Sequence, residues 1–415
     1  METRALSPEG VLRIDIGGGE GLLQESLSMG WHAGADVPFH PGEDFPFEDR
    51  AVGVIACGNF VHDLDRPAKL QFLLECRRTL QTGGQISIAA RDDAASAANG
   101  DLPPLAALAG LESEPDGFTK RDRHLDTDPL VSILIPAYNA RFFTACLDSA
   151  LAQTYRNIEI VIGDDSPGSE IEAIVRARTS HFPVRYERNQ TRLRPRGNFT
   201  RCFERARGEF VKFLCDDDLL APTCVASLLD SFRRAPDIAL ATSRRRRIDE
   251  SGRALRDQPA TVPIVAEDTV IAGPTLANAM IMAGLNTIGE PSTVLFRKSD
   301  LLDQAPEYFR FDGAAGHGII DMVTWAALLL KGDAVYRTEA LSSFRIHPGQ
   351  RQHDPAKAQR NVDSIRGLQA AWLALKLHQR LQPDLLWTKP FPPQPGVDWR
   401  VQPVLGFAAR PVAVG

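Results

Sequence analysis

The 415-residue chain is 43% hydrophobic and 24% charged. That is the balance of a globular protein and far from that of a disordered or fibrous one. A net charge of −6 excludes a chain-wide electrostatic footprint for nucleic acid, so any anionic ligand must be held locally. The length exceeds what one core usually organises, which predicts two domains.

The N-terminal stretch METRALSPEGVLRIDIGGGEG lacks the apolar core of a signal peptide. No run approaches the ~18 apolar residues of a spanning helix. The six cysteines (Cys57, Cys76, Cys146, Cys202, Cys215, Cys224) form no CxxC pair and have no His at zinc spacing. The reading is a cytoplasmic protein with at most peripheral contact at the inner face of a membrane.

The first segment alternates strand-like and helix-like stretches: VLRIDI, GLLQESLSMG, AVGVIAC, PAKLQFLLECRRTL and QISIAA. This pattern predicts a parallel sheet with crossover helices. Leu105 to Gly110 and GFTKRDRHL supply a last helix and a closing strand. The polar, proline-ended stretch Asp122 to Pro129 is the expected linker.

A second alternation follows: VSILIPAYN, a helix from Phe143 to Gln153, IEIVIGDDS, a helix from Glu170 to Arg178, VRYERN, a helix from Asn198 to Ala206, and EFVKFLCDDD. Strand after strand ends in small or acidic residues. In an open α/β sheet those ends face the ligand crevice, where Tyr138, Asn139, Asp164, Asp165 and Asp216 to Asp218 would converge. After Arg380 the composition turns proline-rich (TKPFPPQPGVDW), which predicts a loosely packed tail. The domain boundaries expected are 1–125, 129–380 and a tail over 381–415.

Three consecutive carboxylates after an apolar strand repel one another unless a cation or hydrogen-bond donors compensate. A hard divalent metal bridging a diphosphate meets that need, because Mg²⁺ and Mn²⁺ take one or two carboxylates plus phosphate oxygens. The competing reading is a solvated acidic turn with an Asp as helix cap.

VSILIPAYNARFFTACLDSALAQTYRNIEIVIGDDSP, followed by RGNFTRCFERARGEFVKFLCDDDLLAP, resembles the nucleotide-binding half of family 2 glycosyltransferases with the GT-A fold. The resemblance implies an inverting transfer from a nucleotide-diphosphate sugar to a hydroxyl of a glycan, lipid-linked or protein acceptor, without nucleic acid. By position it assigns Pro136, Tyr138, Asn139 and Asp165 to the base and ribose, Asp217 to Mn²⁺ or Mg²⁺, and Asp216 to the ribose contact. Where the family's acidic motif reads Asp-any-Asp-Asp, the first position here is Cys215. GLNTIGEPSTVLFRKSDL resembles the acceptor-side segment, with Gly289, Glu290 and Pro291 at its turn. GHGIIDMVTWAALLLKG places Asp321 where the family carries its catalytic base; Asp321 also reads as a helix N-cap. FRIHPGQRQ places His347 near the diphosphate, with Arg345 or Arg351 to neutralise it. Arg192, Arg194 and Arg196 read as an exposed loop or a phosphate clamp. Arg244 to Arg247 read as a solvated turn or as contact with anionic lipid.

The first segment resembles compact class I S-adenosylmethionine-dependent methyltransferases. The resemblance rests on LRIDIGGGEG, GWHAGAD, DFPFEDRAVGVIACGNFVHDL and ECRRTLQTGGQISIAA. It implies a Rossmann-like sheet in which Asp15, Gly17, Gly19 and Gly21 line the methionine part and Asp36 takes the ribose, with Asn59 and His62 facing a substrate. Gly53 stands where the family usually has an Asp. The open alternatives are a bifunctional transferase and methyltransferase, a glycosyltransferase with an inert partner domain, and a non-enzymatic scaffold with decayed sites.

Overall fold

The computed structural model describes residues 12–16, 27–30, 37–38, 44–45, 47–58, 60–89, 101–115, 117–120, 125, 127–350, 355–394 and 396–405. Two compact units emerge: Met1–His124 with Ala374–Leu377, and Leu125–Leu373 with His378–Gly415.

The first unit is a seven-stranded sheet of β1 (Leu12–Ile16), β2 (Leu27–Gly30), β3 (Val37–Pro38), β4 (Val52–Cys57), β5 (Leu80–Ile88), β6 (Leu111–Glu114) and β7 (Gly117–Lys120). Its helices are α1 (Phe60–Asp63), α2 (Arg66–Thr79) and α3 (Leu102–Leu108). Strand order is β3-β2-β1-β4-β5-β7-β6. The first five are parallel, and β7 runs antiparallel to both its neighbours. Helix α2 starts where Asp65 accepts from the Ala68 amide at 2.9 Å, and it buries Leu70, Phe72, Leu73 and Cys76. Leu27–Gly30, read above as the end of a helix-like stretch, is strand, because its backbone pairs with β1. Asp15 is buried in β1. Gly17, Gly19, Gly21, Asp36 and Asn59 lie outside the described residues. His62 is buried, with Nε2 3.1 Å from the Ala89 carbonyl.

The second unit opens with β8 (Val131–Ala137), α4 (Ala140–Leu151), β9 (Ile158–Asp164), α5 (Glu170–Arg176), β10 (Val184–Arg188), α6 (Arg194–Arg205) and β11 (Phe210–Phe213). β12 (Leu219–Leu220), α7 (Cys224–Arg234), β13 (Ile238–Ile248), β14 (Ala254–Leu255), β15 (Thr269–Ile271), α8 (Gly273–Ala283) and β16 (Leu295–Arg297) follow. The rest is β17 (Arg310–Phe311), β18 (Ala314–Ala315), α9 (Ile320–Lys331), β19 (Asp333–Arg345), α10 (Pro355–Ala374), β20 (Leu385–Pro390) and β21 (Arg400–Pro403). The main sheet runs β10-β9-β8-β11-β16-β13-β19-β15-β20-β21. Its first four strands are parallel, while β16 is antiparallel to both β11 and β13.

The near-continuous apolar runs of β8 and β9 reflect burial on both faces. Val131, Ile133 and Ile135 alternate onto one face with Ile158, Ile160 and Ile162, against Phe143 and Leu147 of α4 and Leu228 and Phe232 of α7. Phe203 of α6 joins Phe296 and Phe309 in an aromatic cluster. Asn198 donates to the carbonyls of Gly163 at 2.8 Å and Ala137 at 3.3 Å, tying α6 to the ends of β8 and β9.

Two expectations are corrected. Arg194 and Arg196 belong to the first turn of α6, with a proline at its start, and not to an exposed loop. The proline-rich stretch after Arg380 is not uniformly loose: β20 pairs antiparallel with β15 and β21 extends the edge. Among the described residues no helix is long and apolar enough to cross a membrane.

Candidate active site

The three carboxylates after β11 do three different things. Asp218 turns inward and is buried. It accepts from the Ser292 hydroxyl at 2.6 Å and the Arg345 amide at 3.1 Å. Burial, then the neighbouring Asp217 charge, pushes its carboxyl well above the usual range. Asp216 points the other way and accepts from the amides of Tyr138 at 2.6 Å and Asn139 at 2.7 Å. Its carboxyl is pushed up to about 7 by burial and then by Asp217. Asp217 lies between them with Oδ2 3.1 Å from Nε2 of His347.

Strand pairing brings His347 there. β12, directly after the acidic turn, runs antiparallel to β19 with Leu219 opposite Ser343. The end of β19 is therefore laid against the carboxylates. His347 is 5% exposed, its ring packs on Phe142 at 5.0 Å, and its Nδ1 has no hydrogen-bond partner among the described residues. Gln350 adds an amide 3.4 Å from Asp217 Oδ2. Arg345, expected to neutralise phosphate, has its guanidinium engaged by backbone carbonyls. It is 4% exposed, and its guanidinium donates to the carbonyls of Asp217 at 2.8 Å, Asp249 at 3.0 Å and Glu250 at 3.2 Å. Arg351 lies outside the described residues.

At the end of β8, Asn139 caps α4 by accepting from the Arg141 amide at 3.0 Å. Tyr138 is 44% exposed, with the Arg192 guanidinium 4.4 Å over its ring. Pro136 lies within β8, opposite Gly163 of β9. Asp165 anchors the neighbouring loop: its two oxygens accept from the Asn189 side chain at 3.1 Å and the amides of Leu193 at 2.7 Å and Arg194 at 2.9 Å. Asp164 accepts from the Tyr186 hydroxyl at 2.7 Å. A cavity of about 570 Å³ opens here, walled by Tyr138, Asp165, Arg188, Asn189 and Arg192.

Asp321 sits in the first turn of α9. The N-cap is Ile319, so the N-cap reading of Asp321 is corrected. Its Oδ1 accepts from the Met322 amide at 2.9 Å and its Oδ2 from Asn286 Nδ2 at 2.7 Å. Burial, with a contribution from the Glu290 charge, pushes its carboxyl up to about 6. Asn286 also closes the turn at Gly289, donating to its carbonyl at 2.9 Å and accepting from its amide at 3.0 Å. Gly289 has φ +131°, and a side chain there would strike Thr293. Glu290 pairs with Arg245 at 2.6 Å. Arg245 is 3% exposed within β13, so the arginine run is a strand with a buried member and not a solvated turn.

Sequence reading missed Asn286, Ser292 and Gln350, and the pairing of Arg245 with Glu290. The segment from Asn286 to Ser292 holds Asp321 at one end and Asp218 at the other. Among the described residues no three His, Cys, Asp or Glu side chains are arranged to hold a metal ion. The Asp217–His347 pair nevertheless suits two adjacent ligands: bonds of about 2.1 Å at right angles separate their donor atoms by about 3.0 Å, against the 3.1 Å found.

Residues 132–302 match the model of the family described as glycosyl transferase family 2. An uncharacterized protein of Mycobacterium tuberculosis is 32% identical over 234 residues, 52% of this chain and 67% of that protein. The chondroitin synthase of Escherichia coli is 33% identical over 126 residues, 30% of this chain but only 18% of the synthase. Among solved structures, S. aureus TarS 1-349 in complex with UDP-GlcNAc gives a TM-score of 0.43 at 16% identity, over 54% of this chain and 61% of that one. Through residues 132–302, the chain belongs to glycosyl transferase family 2.

Proposed function

We propose that the second unit, with a GT-A-type arrangement, transfers a sugar from a nucleoside-diphosphate donor to an acceptor hydroxyl with inversion at the anomeric carbon, in glycan biosynthesis. The observation that carries this is the segment 286–292, which joins Asp321 to the acidic turn and so makes one site of a base and a diphosphate-binding end. The family match and the resemblance to chondroitin synthase support a glycan product.

In this reading the cavity beside Tyr138 and Asp165 takes the nucleoside, with Asp216 fixing the Tyr138–Asn139 turn. Asp217 and His347 would hold Mn²⁺ or Mg²⁺, which when bound supplies positive charge to the departing diphosphate. Asp321 takes the acceptor proton as the hydroxyl attacks. Its raised carboxyl is a stronger base than an exposed aspartate while still ionised at neutral pH. A single displacement needs no covalent enzyme intermediate. Supplied with UDP- or GDP-sugars, Mn²⁺ and a saccharide acceptor, the protein is expected to give product of inverted anomeric configuration by NMR. Retained configuration contradicts the proposal.

A second reading concerns the first unit, where a methyltransferase-like domain would bind S-adenosylmethionine. Its support is the strand order, which changes direction between β1 and β4, the kind of switch point at which open α/β sheets bind ligands; Asp15 lies near the carboxyl end of β1. Calorimetric titration with S-adenosylmethionine tests it: saturable binding lost in Asp15→Ala supports the reading, and silence contradicts it.

A further inference from the structure

Beside the start of α9 lies a second cavity, of about 730 Å³. Its walls come from three parts of the second unit: the first turn of α6 (Arg194, Arg196), the entry to α9 (His317 of the preceding loop and Ile320 of the helix) and α10 (Arg360, Asp363). Ile320 directly precedes Asp321, so the cavity adjoins the residue read above as the base.

This wall is built and not incidental. Gly318 has φ +90° and fits so closely against Asn361 of α10 that a Cβ would strike the Asn361 amide oxygen. Ser364 of α10 donates to the His317 carbonyl at 2.9 Å. The loop that positions Asp321 is thereby pinned to the helix that supplies Arg360.

The cavity's charge runs against that of the chain. Arg194, Arg196, Arg360 and His317 line it together with Asp363, in a protein whose net charge is −6. Arg196 is half-buried and donates to the Tyr308 carbonyl at 2.9 Å, with no carboxylate paired to it among the described residues. Its pKa is lowered by burial and then by the nearby Arg310. The Arg194 guanidinium and the His317 ring make no hydrogen bond or ion pair among the described residues. Arginines that line one cavity are suited to fork-like recognition of an oxyanion.

We propose that this cavity is an acceptor subsite for an anionic group, a phosphate or carboxylate carried by the acceptor next to the hydroxyl that reacts. The proposal rests on the reading of Asp321 as the base, since that places the acceptor on this side of the site. It makes the acceptor an acidic or phosphorylated glycan, or a lipid phosphate, and excludes a wholly neutral sugar as the preferred partner.

The test is calorimetric titration of the full chain with glycerol phosphate and, in a parallel arm, sodium glucuronate, each with and without saturating UDP and Mn²⁺. The expected result is binding of at least one anion that persists when UDP fills the donor site. It weakens on the order of tenfold in Arg360→Gln, and further in Arg196→Gln/Arg360→Gln. Arg176→Gln, at an exposed position of α5 where Arg176 pairs with Glu172, binds the anion as the natural chain does. The arm that responds identifies phosphate or carboxylate as the source. Silence in both arms, displacement by UDP, or equal affinity in Arg360→Gln overturns the proposal. UDP binding is read in its own titration, so failure of the donor site is seen separately from failure of this cavity.

Discussion

Asn286 reaches across 35 residues of sequence to donate its amide to Asp321 at 2.7 Å, while the same side chain closes the turn at Gly289 through both of its polar atoms. That bond favours the ionised carboxylate, opposing the upward push of burial. Asn286→Ala is therefore expected to move the acid limb of the kcat/KM profile to higher pH and to lower the rate about tenfold. A merely structural role would lower thermal stability and leave the limb in place.

Asp321 itself gives two predictions. As the base it must be ionised, so activity rises with pH up to about 6 and then levels. Asp321→Asn is expected to reduce kcat by roughly 10²- to 10⁴-fold while nucleotide binding survives. The stability effect has the opposite sign. A carboxyl raised above its unfolded value, about 3.9, contributes stability below that value and loses it as pH rises through about 6. Thermal unfolding should thus show Asp321→Asn gaining on the natural chain at pH 8 but not at pH 4.

Ser292 donates to the buried Asp218 at 2.6 Å and accepts from the Cys215 amide at 2.9 Å. Ser292→Ala leaves both groups short of a partner, at a cost of about 1–3 kcal/mol. Urea unfolding checks this; a change under half a kcal/mol, by order of magnitude, would remove Ser292 from the account of the acidic turn.

Two adjacent arginines should differ sharply. Arg245 is buried against Glu290 and also donates to the carbonyls of Ala260 at 2.6 Å and Asn286 at 2.9 Å. Arg245→Ala is expected to destabilise by roughly 3–5 kcal/mol because Glu290 is left uncompensated. Arg244 holds a half-exposed pair with Asp257, and Arg244→Ala should fall within about 0.5 kcal/mol. Equal effects would restore the surface reading of the run.

This contrast shows where the sequence could be read and where it could not. The strands of the second unit announce themselves because β8, β9 and β11 are apolar runs ending in small or acidic residues, so Tyr138, Asn139, Asp165 and the acidic turn could be placed at one edge. Asp321 was singled out by resemblance to the family's base position, and it lies in the first turn of α9. Asn286, Ser292 and Gln350 carry no such mark. Their roles depend on partners 35 to 133 residues away, set by the pairing of β12 with β19 and by the turn at Gly289. The arginine run misled because charge outweighs pattern locally. Along a strand, alternate residues face opposite sides, so Arg245 points into the protein while Arg244 and Arg246 do not. Three adjacent aspartates looked like one cluster, yet the turn after β11 sends each carboxylate to a different partner.

The account depends most on Asp217 and His347 as the diphosphate-binding end of the site. Calorimetric titration of UDP, and of GDP and dTDP in turn, into the full chain with and without Mn²⁺ tests it most directly, with Asp217→Ala as the companion. The account predicts saturable binding of at least one of the three that requires Mn²⁺, is abolished in Asp217→Ala and is weakened in His347→Ala. Absence of binding by all three nucleotides, or binding that neither Mn²⁺ nor Asp217→Ala alters, would contradict it and leave the family fold as a scaffold without a working donor site.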